Sequence, residues 1–212
     1  MQGFRHSGYD YIAPFYDDAV GLLFGKDIFD AQICFFHLIP PGASVLVLGG
    51  GSGWILPELF TFHPGVRVWY IDASEKMISL ARKKSANLSV QFIQGTEADI
   101  PQGMLFDVVI TNFYVDGFSA SVLPGKIRTI QQHLPPHGQW IVTDFVETGQ
   151  RKHQLALWLT HVFFRILVNH PNRRLVNWIE AFRTSGLHLE KEKEFHQGFI
   201  KTMLYVPPTS NV

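Results

Sequence analysis

The chain has almost no cysteine: Cys34 stands alone among 212 residues, so no internal disulfide can form. It has no surplus of either charge, with 18 basic and 18 acidic side chains, and so lacks the basic field by which proteins hold nucleic acid phosphates. Nucleic acid is therefore not an expected partner. Long apolar runs are also missing. The longest, Leu155 to Val168, is interrupted by His161 and Arg165 and falls short of the ~20 residues that span a bilayer. No apolar stretch follows the basic residues of MQGFRHSGYD, so no secretory signal is expected and the expected compartment is the cytoplasm. The ten histidines form no cluster at metal-ligand spacing, and no metal is expected. A G-x-S-x-G nucleophile elbow is absent, which leaves Ser-His-Asp catalysis without support.

What the chain has in quantity is apolar surface. Apolar residues make up 46%, with 18 Phe, 5 Trp and 6 Tyr, while charged residues are only 17% against ~25% in ordinary soluble domains. That composition supports one domain over 1–212 with a large core. From Ser44 onward, short β-rich runs alternate with helical stretches, the pattern of βαβ units and a mainly parallel sheet. Strands are expected at Ser44–Leu48, Val66–Ile71, Ser89–Ile93, Phe106–Thr111 and Gln139–Asp144, with helices at Trp54–Phe62, Glu75–Ser85 and Ser119–His133. A final antiparallel hairpin, Leu187–Phe195 and Phe199–Val206 around Gln197-Gly198, makes seven strands in a doubly wound α/β sheet with helices on both faces. A cap helix is expected within about 9–38, the core over 44–145, and two further helices, Gln150–Val168 and Asn172–Thr184, before the hairpin.

The richest string is Val45-Leu46-Val47-Leu48-Gly49-Gly50-Gly51-Ser52-Gly53-Trp54, an apolar strand running through a glycine turn into a helix. Such a turn sits at the carboxyl end of the strand, beside the positive helix N-terminus, and is a ligand site. Trp54 occupies the position of the third glycine in the dinucleotide fingerprint G-x-G-x-x-G, which disfavours the alternative of a nicotinamide-dependent oxidoreductase. Asp72 ends the second strand about 20 residues past the glycines, the separation at which a carboxylate reaches a ribose diol. Asp72-Ala73-Ser74 can also cap the helix that begins at Glu75.

Five pieces in register resemble the class I S-adenosylmethionine-dependent methyltransferases, in the small-molecule branch of the ubiquinone/menaquinone-biosynthesis methylases. They are Tyr9-Asp10-Tyr11-Ile12-Ala13-Pro14-Phe15-Tyr16-Asp17, the glycine turn, Ile71-Asp72-Ala73-Ser74 with Met77, residues Phe92 to Pro101, and Phe106 to Asn112. The resemblance implies a Rossmann-like fold and S-adenosylmethionine as cofactor. It further implies that Gly49, Gly51 and Gly53 pass beneath the methionine portion, that Asp72 takes the ribose hydroxyls, and that Ala73 and Met77 border the adenine. Thr96 and Glu97 would meet the adenine edge, Asn112 and Phe113 would lie near the methionine group, and Tyr11 and Tyr16 would close the pocket. Two positions depart from the family pattern: Val47 stands where an acidic residue usually precedes the first glycine, and Thr96 where an aspartate usually follows Gly95. These departures keep open a third reading, a non-catalytic protein that retains the cofactor fold.

Methyl transfer from a sulfonium asks chiefly for alignment and water exclusion, with a base only where the acceptor must lose a proton. Tyr11, Tyr16, Trp54 and Phe113 are candidate aromatic neighbours of the positive sulfur. His153, His161 and Asp144 are the candidates for a base; neither histidine lies in a recognisable motif, and Asp144, near the expected substrate mouth by topology, can equally cap the helix after it. Residues 148–179 carry Arg151, Lys152, Arg165, Arg173 and Arg174 among many apolar side chains. Segment 150–174 is accordingly read as a lid over a small apolar or anionic acceptor, a peripheral contact with anionic lipid, or a homodimer face.

Overall fold

The computed structural model describes residue 21 and residues 24–148 and 176–208. Seven strands form one sheet: β1 (Ser44–Leu48), β2 (Arg67–Asp72), β3 (Val90–Gln94), β4 (Val108–Asn112), β5 (Gln139–Phe145), β6 (His188–Phe195) and β7 (Ile200–Val206). Their order is β3-β2-β1-β4-β5-β7-β6. The first five are parallel, whereas β7 runs antiparallel to both β5 and β6. The winding order across the sheet reverses between β1 and β4, which is the switch point where ligands of open α/β sheets bind.

Burial follows position in the sheet. Every residue of β1 and of β4 is buried, as central parallel strands covered on both faces require. At the outer edge, β6 reads His-Leu-Glu-Lys-Glu-Lys-Glu-Phe and is exposed along nearly all its length, and its charges deter pairing with another chain. On one face, α1 (Asp27–Ile33), α2 (Ile55–Phe62) and α3 (Glu75–Lys84) lie against the sheet, with Phe36, Leu56, Leu59, Tyr70 and Ile78 in the core between. On the other, α4 (Leu123–Gln131) and α5 (Trp178–Arg183) cover Ile127, Ile130, Trp140, Trp178 and Phe182. Both buried indoles are satisfied: Trp140 Nε1–H donates to Thr111 Oγ1 at 2.9 Å and Trp178 Nε1–H to the Phe145 carbonyl at 2.8 Å.

Strand positions agree with the sequence to within two residues at each end. The cap segment does not form one continuous helix. Gly25 takes φ +63° and closes a turn with its N–H on the Gly21 carbonyl, so α1 begins only at Asp27 and is followed by a 3₁₀ turn at Phe36–Leu38. The helix expected at Ser119–His133 begins later, at Leu123, with Pro124 in its first turn. Of the stretch Asn172–Thr184, the described part is α5, whose N-cap Asn177 accepts from the Glu180 N–H at 3.2 Å. The helix expected at Gln150–Val168 lies outside the described residues, as does the cap segment before residue 21. No described helix is long and apolar enough to cross a membrane.

Candidate functional site

The glycine turn leaves β1 at the switch point. Gly49, Gly51 and Gly53 all have positive φ, at 63°, 64° and 76°, a backbone course that side chains with a Cβ rarely follow. Two residues of β2 hold the turn from below. Asp72 Oδ2 accepts the Gly51 N–H at 2.8 Å, and the Tyr70 hydroxyl donates to the Gly51 carbonyl at 2.9 Å. The Tyr70 ring lies so close beneath Gly50 that a Cβ there would come within 2.1 Å of it. A Cβ on Gly53 would meet Ala81 of α3 at 2.5 Å, so that glycine serves helix packing. A Cβ on Gly51 would meet nothing within 4 Å: this part of the turn faces open space.

Asp72 thus joins the glycine turn to the next segment, because its Oδ1 also accepts the Ser74 N–H at 2.8 Å. The helix cap itself is Ser74, whose hydroxyl accepts from the Met77 N–H at 3.2 Å. Ala73 is half-buried and Met77 buried beside this carboxylate. At the end of β3, Thr96 caps a short 3₁₀ turn, Glu97–Asp99, its hydroxyl accepting from Ala98 N–H and its own N–H donating to Asp99 Oδ2 at 2.8 Å. Its polar groups are engaged in this turn. The buried Glu97 carboxylate reaches across to the next strand: one oxygen accepts from the Tyr114 hydroxyl at 2.6 Å, and the other pairs with Lys126 of α4.

At the end of β4, Asn112 is 8% exposed, and neither its amide nitrogen nor its amide oxygen has a hydrogen-bond partner. Two unsatisfied polar atoms on one enclosed side chain cost roughly 1–3 kcal/mol each unless something meets them. Phe113 follows with φ +51°, a strained conformation for a residue with a Cβ, held by its N–H on the Thr143 carbonyl at 2.7 Å and by its ring on Phe145, 4.7 Å between centroids. Strain and orphaned polarity therefore fall on neighbouring residues beside the glycine turn.

Asp144, one of the candidate bases, is fully buried. Its Oδ2 accepts the N–H groups of Val115 and Asp116 at 3.0 and 3.1 Å, and its Oδ1 that of Phe145 at 2.8 Å. It anchors the loop after β4, a role that its position at a strand end did not reveal. Burial, reinforced by the neighbouring Asp116, holds its carboxyl well above the usual range, and burial pushes Asp116 up to about 6. Trp54 points its indole N–H at Gln32 of α1, 3.3 Å away, and packs edge-on against Phe29. Tyr11, Tyr16, His153 and His161 lie outside the described residues. Tyr70, Tyr114, Asp116 and Lys126 bond to Gly51, Glu97 or Asp144, and their ordinary positions in a strand, a loop and a helix carry no motif in the sequence.

Residues 45–138 match the model of a methyltransferase domain. This match over just under half of the chain supports the resemblance to the class I methyltransferases read from the sequence. S-adenosylmethionine is the cofactor of that family. A malonyl-[acyl-carrier protein] O-methyltransferase of Halalkalibacterium halodurans is 25% identical over 107 residues, a match covering 48% of this chain and 39% of that protein. The match thus spans well under half the length of this relative. Among solved structures, the putative methyltransferase in complex with the Trm112 activator of Haloferax volcanii superposes with a TM-score of 0.74 at 18% identity, covering 95% of this chain and 98% of that one. The mitomycin 7-O-methyltransferase MmcR gives 0.67 at 17% identity over 96% of this chain and 62% of its own. At these identities the structures speak for the fold, a seven-stranded Rossmann-like sheet closed by an antiparallel hairpin.

Proposed function

We propose that this chain is a methyltransferase that holds S-adenosylmethionine across the carboxyl ends of β1, β2 and β4 and transfers its methyl group to an oxygen of a small anionic acceptor. The observation that carries the reading is Asn112. An enclosed amide with both a donor and an acceptor unspent suits the carboxylate and ammonium of an amino acid, and the methionine end of the cofactor is one. Asp72 would take the ribose hydroxyls while it keeps the Gly51 N–H in place, and Ala73 and Met77 would flank the adenine. The open side of Gly51 leaves room for a ligand to approach the backbone.

When bound, the cofactor supplies a methyl group on a positively charged sulfur, already poised to leave. The chain's own part is alignment and dryness. Phe113, fixed by its strained backbone and by Phe145, places an apolar face next to Asn112, which excludes water and steadies the approach of the acceptor. Asp144 has both oxygens committed to backbone N–H groups, an arrangement that suits an acceptor oxygen already ionised and needing no base. The O-methyltransferase names of the relative and of MmcR support an oxygen acceptor.

Calorimetric titration with S-adenosylhomocysteine tests the reading. The wild type should bind it, and Asp72→Ala should weaken binding at least tenfold. An absence of binding to wild type at millimolar ligand would remove the proposal.

A further inference from the structure

The space above the glycine turn is not empty. The ring of Tyr114, two residues past Asn112, presses close on Gly49: a Cβ there would come within 2.4 Å of it. From that end the phenol extends to Glu97, where its hydroxyl donates at 2.6 Å. The negative charge of Asp72 also acts on this hydroxyl, and burial together with Glu97 pushes its proton affinity upward. Tyr114 therefore spans from Gly49, assigned above to the methionine end of the cradle, to Glu97 just past β3. The Phe118 ring meets it edge-on at 5.2 Å.

The geometry points to Tyr114 as a gate: it fills the nucleoside cradle over Gly49, and it must swing off the glycine and release Glu97 before the cofactor can seat. This rests on the reading of the cradle given above. The opening is feasible because Glu97 does not depend on Tyr114 alone. Lys126 of α4 stays paired with the other carboxylate oxygen, so release of the phenol does not leave a buried charge uncompensated. The gate keeps the competent conformation a minority, and the apparent affinity falls by the fraction that is open.

The test uses wild type, Tyr114→Phe and Tyr114→Ala, titrated with S-adenosylhomocysteine by calorimetry and followed in stopped-flow fluorescence. Tyr114→Phe, which keeps the ring and loses only the bond to Glu97, should bind several-fold tighter. Tyr114→Ala should bind tighter still, by about tenfold or more. In wild type the observed binding rate should level off at high ligand, the mark of an opening step that precedes binding, and in Tyr114→Ala it should keep rising linearly. Equal or weaker binding in Tyr114→Phe, with wild type binding normally, overturns the gate and makes Tyr114 part of the bound pocket. If Tyr114→Ala fails to fold, Tyr114→Phe decides alone. Should neither wild type nor Tyr114→Phe bind the ligand, the cradle itself is wrongly assigned and the gate goes with it.

Discussion

Asn112 is a residue whose placement works against the stability of the free protein. Enclosed and unpartnered, it lowers stability, a cost that the proposed ligand would offset on binding, and the nearly isosteric Asn112→Leu separates the two effects. The variant should unfold at higher denaturant concentration, by about 1–2 kcal/mol, while S-adenosylhomocysteine binding falls by at least tenfold. A variant that loses stability would mean that the amide has a structural role. Residue by residue, the sequence was informative where a rule of backbone geometry applied. Gly49, Gly51 and Gly53 announce positive φ because little else tolerates it, and all three have it. Asp72 announces a carboxylate at a strand end. Its bonds to the Gly51 and Ser74 N–H groups needed coordinates, since a spacing of about 20 residues says nothing about which atoms meet.

At the scale of elements, the loop after β4 combines the positive φ of Phe113 with a pair of buried carboxyls. A buried Asp144 holds the loop's first turn through two backbone N–H groups, the second of them that of Asp116. Both carboxyls have raised proton affinity in the folded protein. A raised folded value means that the native state binds protons more readily than the unfolded chain. The contribution to stability is then complete in acid, below about pH 4, and declines as pH rises through about 6. Urea midpoints of wild type and Asp116→Asn at pH 4.5 and 7.5 check this. Relative to the variant, wild type should lose about 1–2 kcal/mol between the two, and a pH-independent difference would refute the coupling. This loop is hard to read in the sequence, because Tyr114 and Asp116 lie in no periodic pattern and Asp144, at the end of an expected strand, acts on it through long-range contacts. The strands were the most legible, since full burial forces the near-continuous apolar runs of β1 and β4. Among the described residues of the cap segment, Gly25 breaks the helical pattern with a left-handed turn, which a glycine permits but does not announce.

For the whole molecule, the sheet separates two apolar layers, and the second depends on two large aromatic side chains. Trp140 and Trp178 are each at most 1% exposed, and Trp140 stacks edge-on with Phe182 at 4.8 Å while it donates to Thr111. Trp140→Ala should cost about 3–5 kcal/mol in equilibrium unfolding, far more than any exposed substitution on β6. The alternation of strand and helix disclosed this layering, and the final hairpin disclosed the antiparallel end. Their joint result, a reversal of the winding order between the parallel neighbours β1 and β4, follows from topology alone and marks the place where ligands of such sheets bind.

The double grip of β2 on Gly51 divides the labour within the cleft. Because both the amide and the carbonyl of that residue are secured by Asp72 and Tyr70, the floor is already cast in its final shape and surrenders no freedom when a guest arrives. Adaptation is left to the opposite bank, so drift in ligand preference during evolution should accumulate after β4 and spare the glycines.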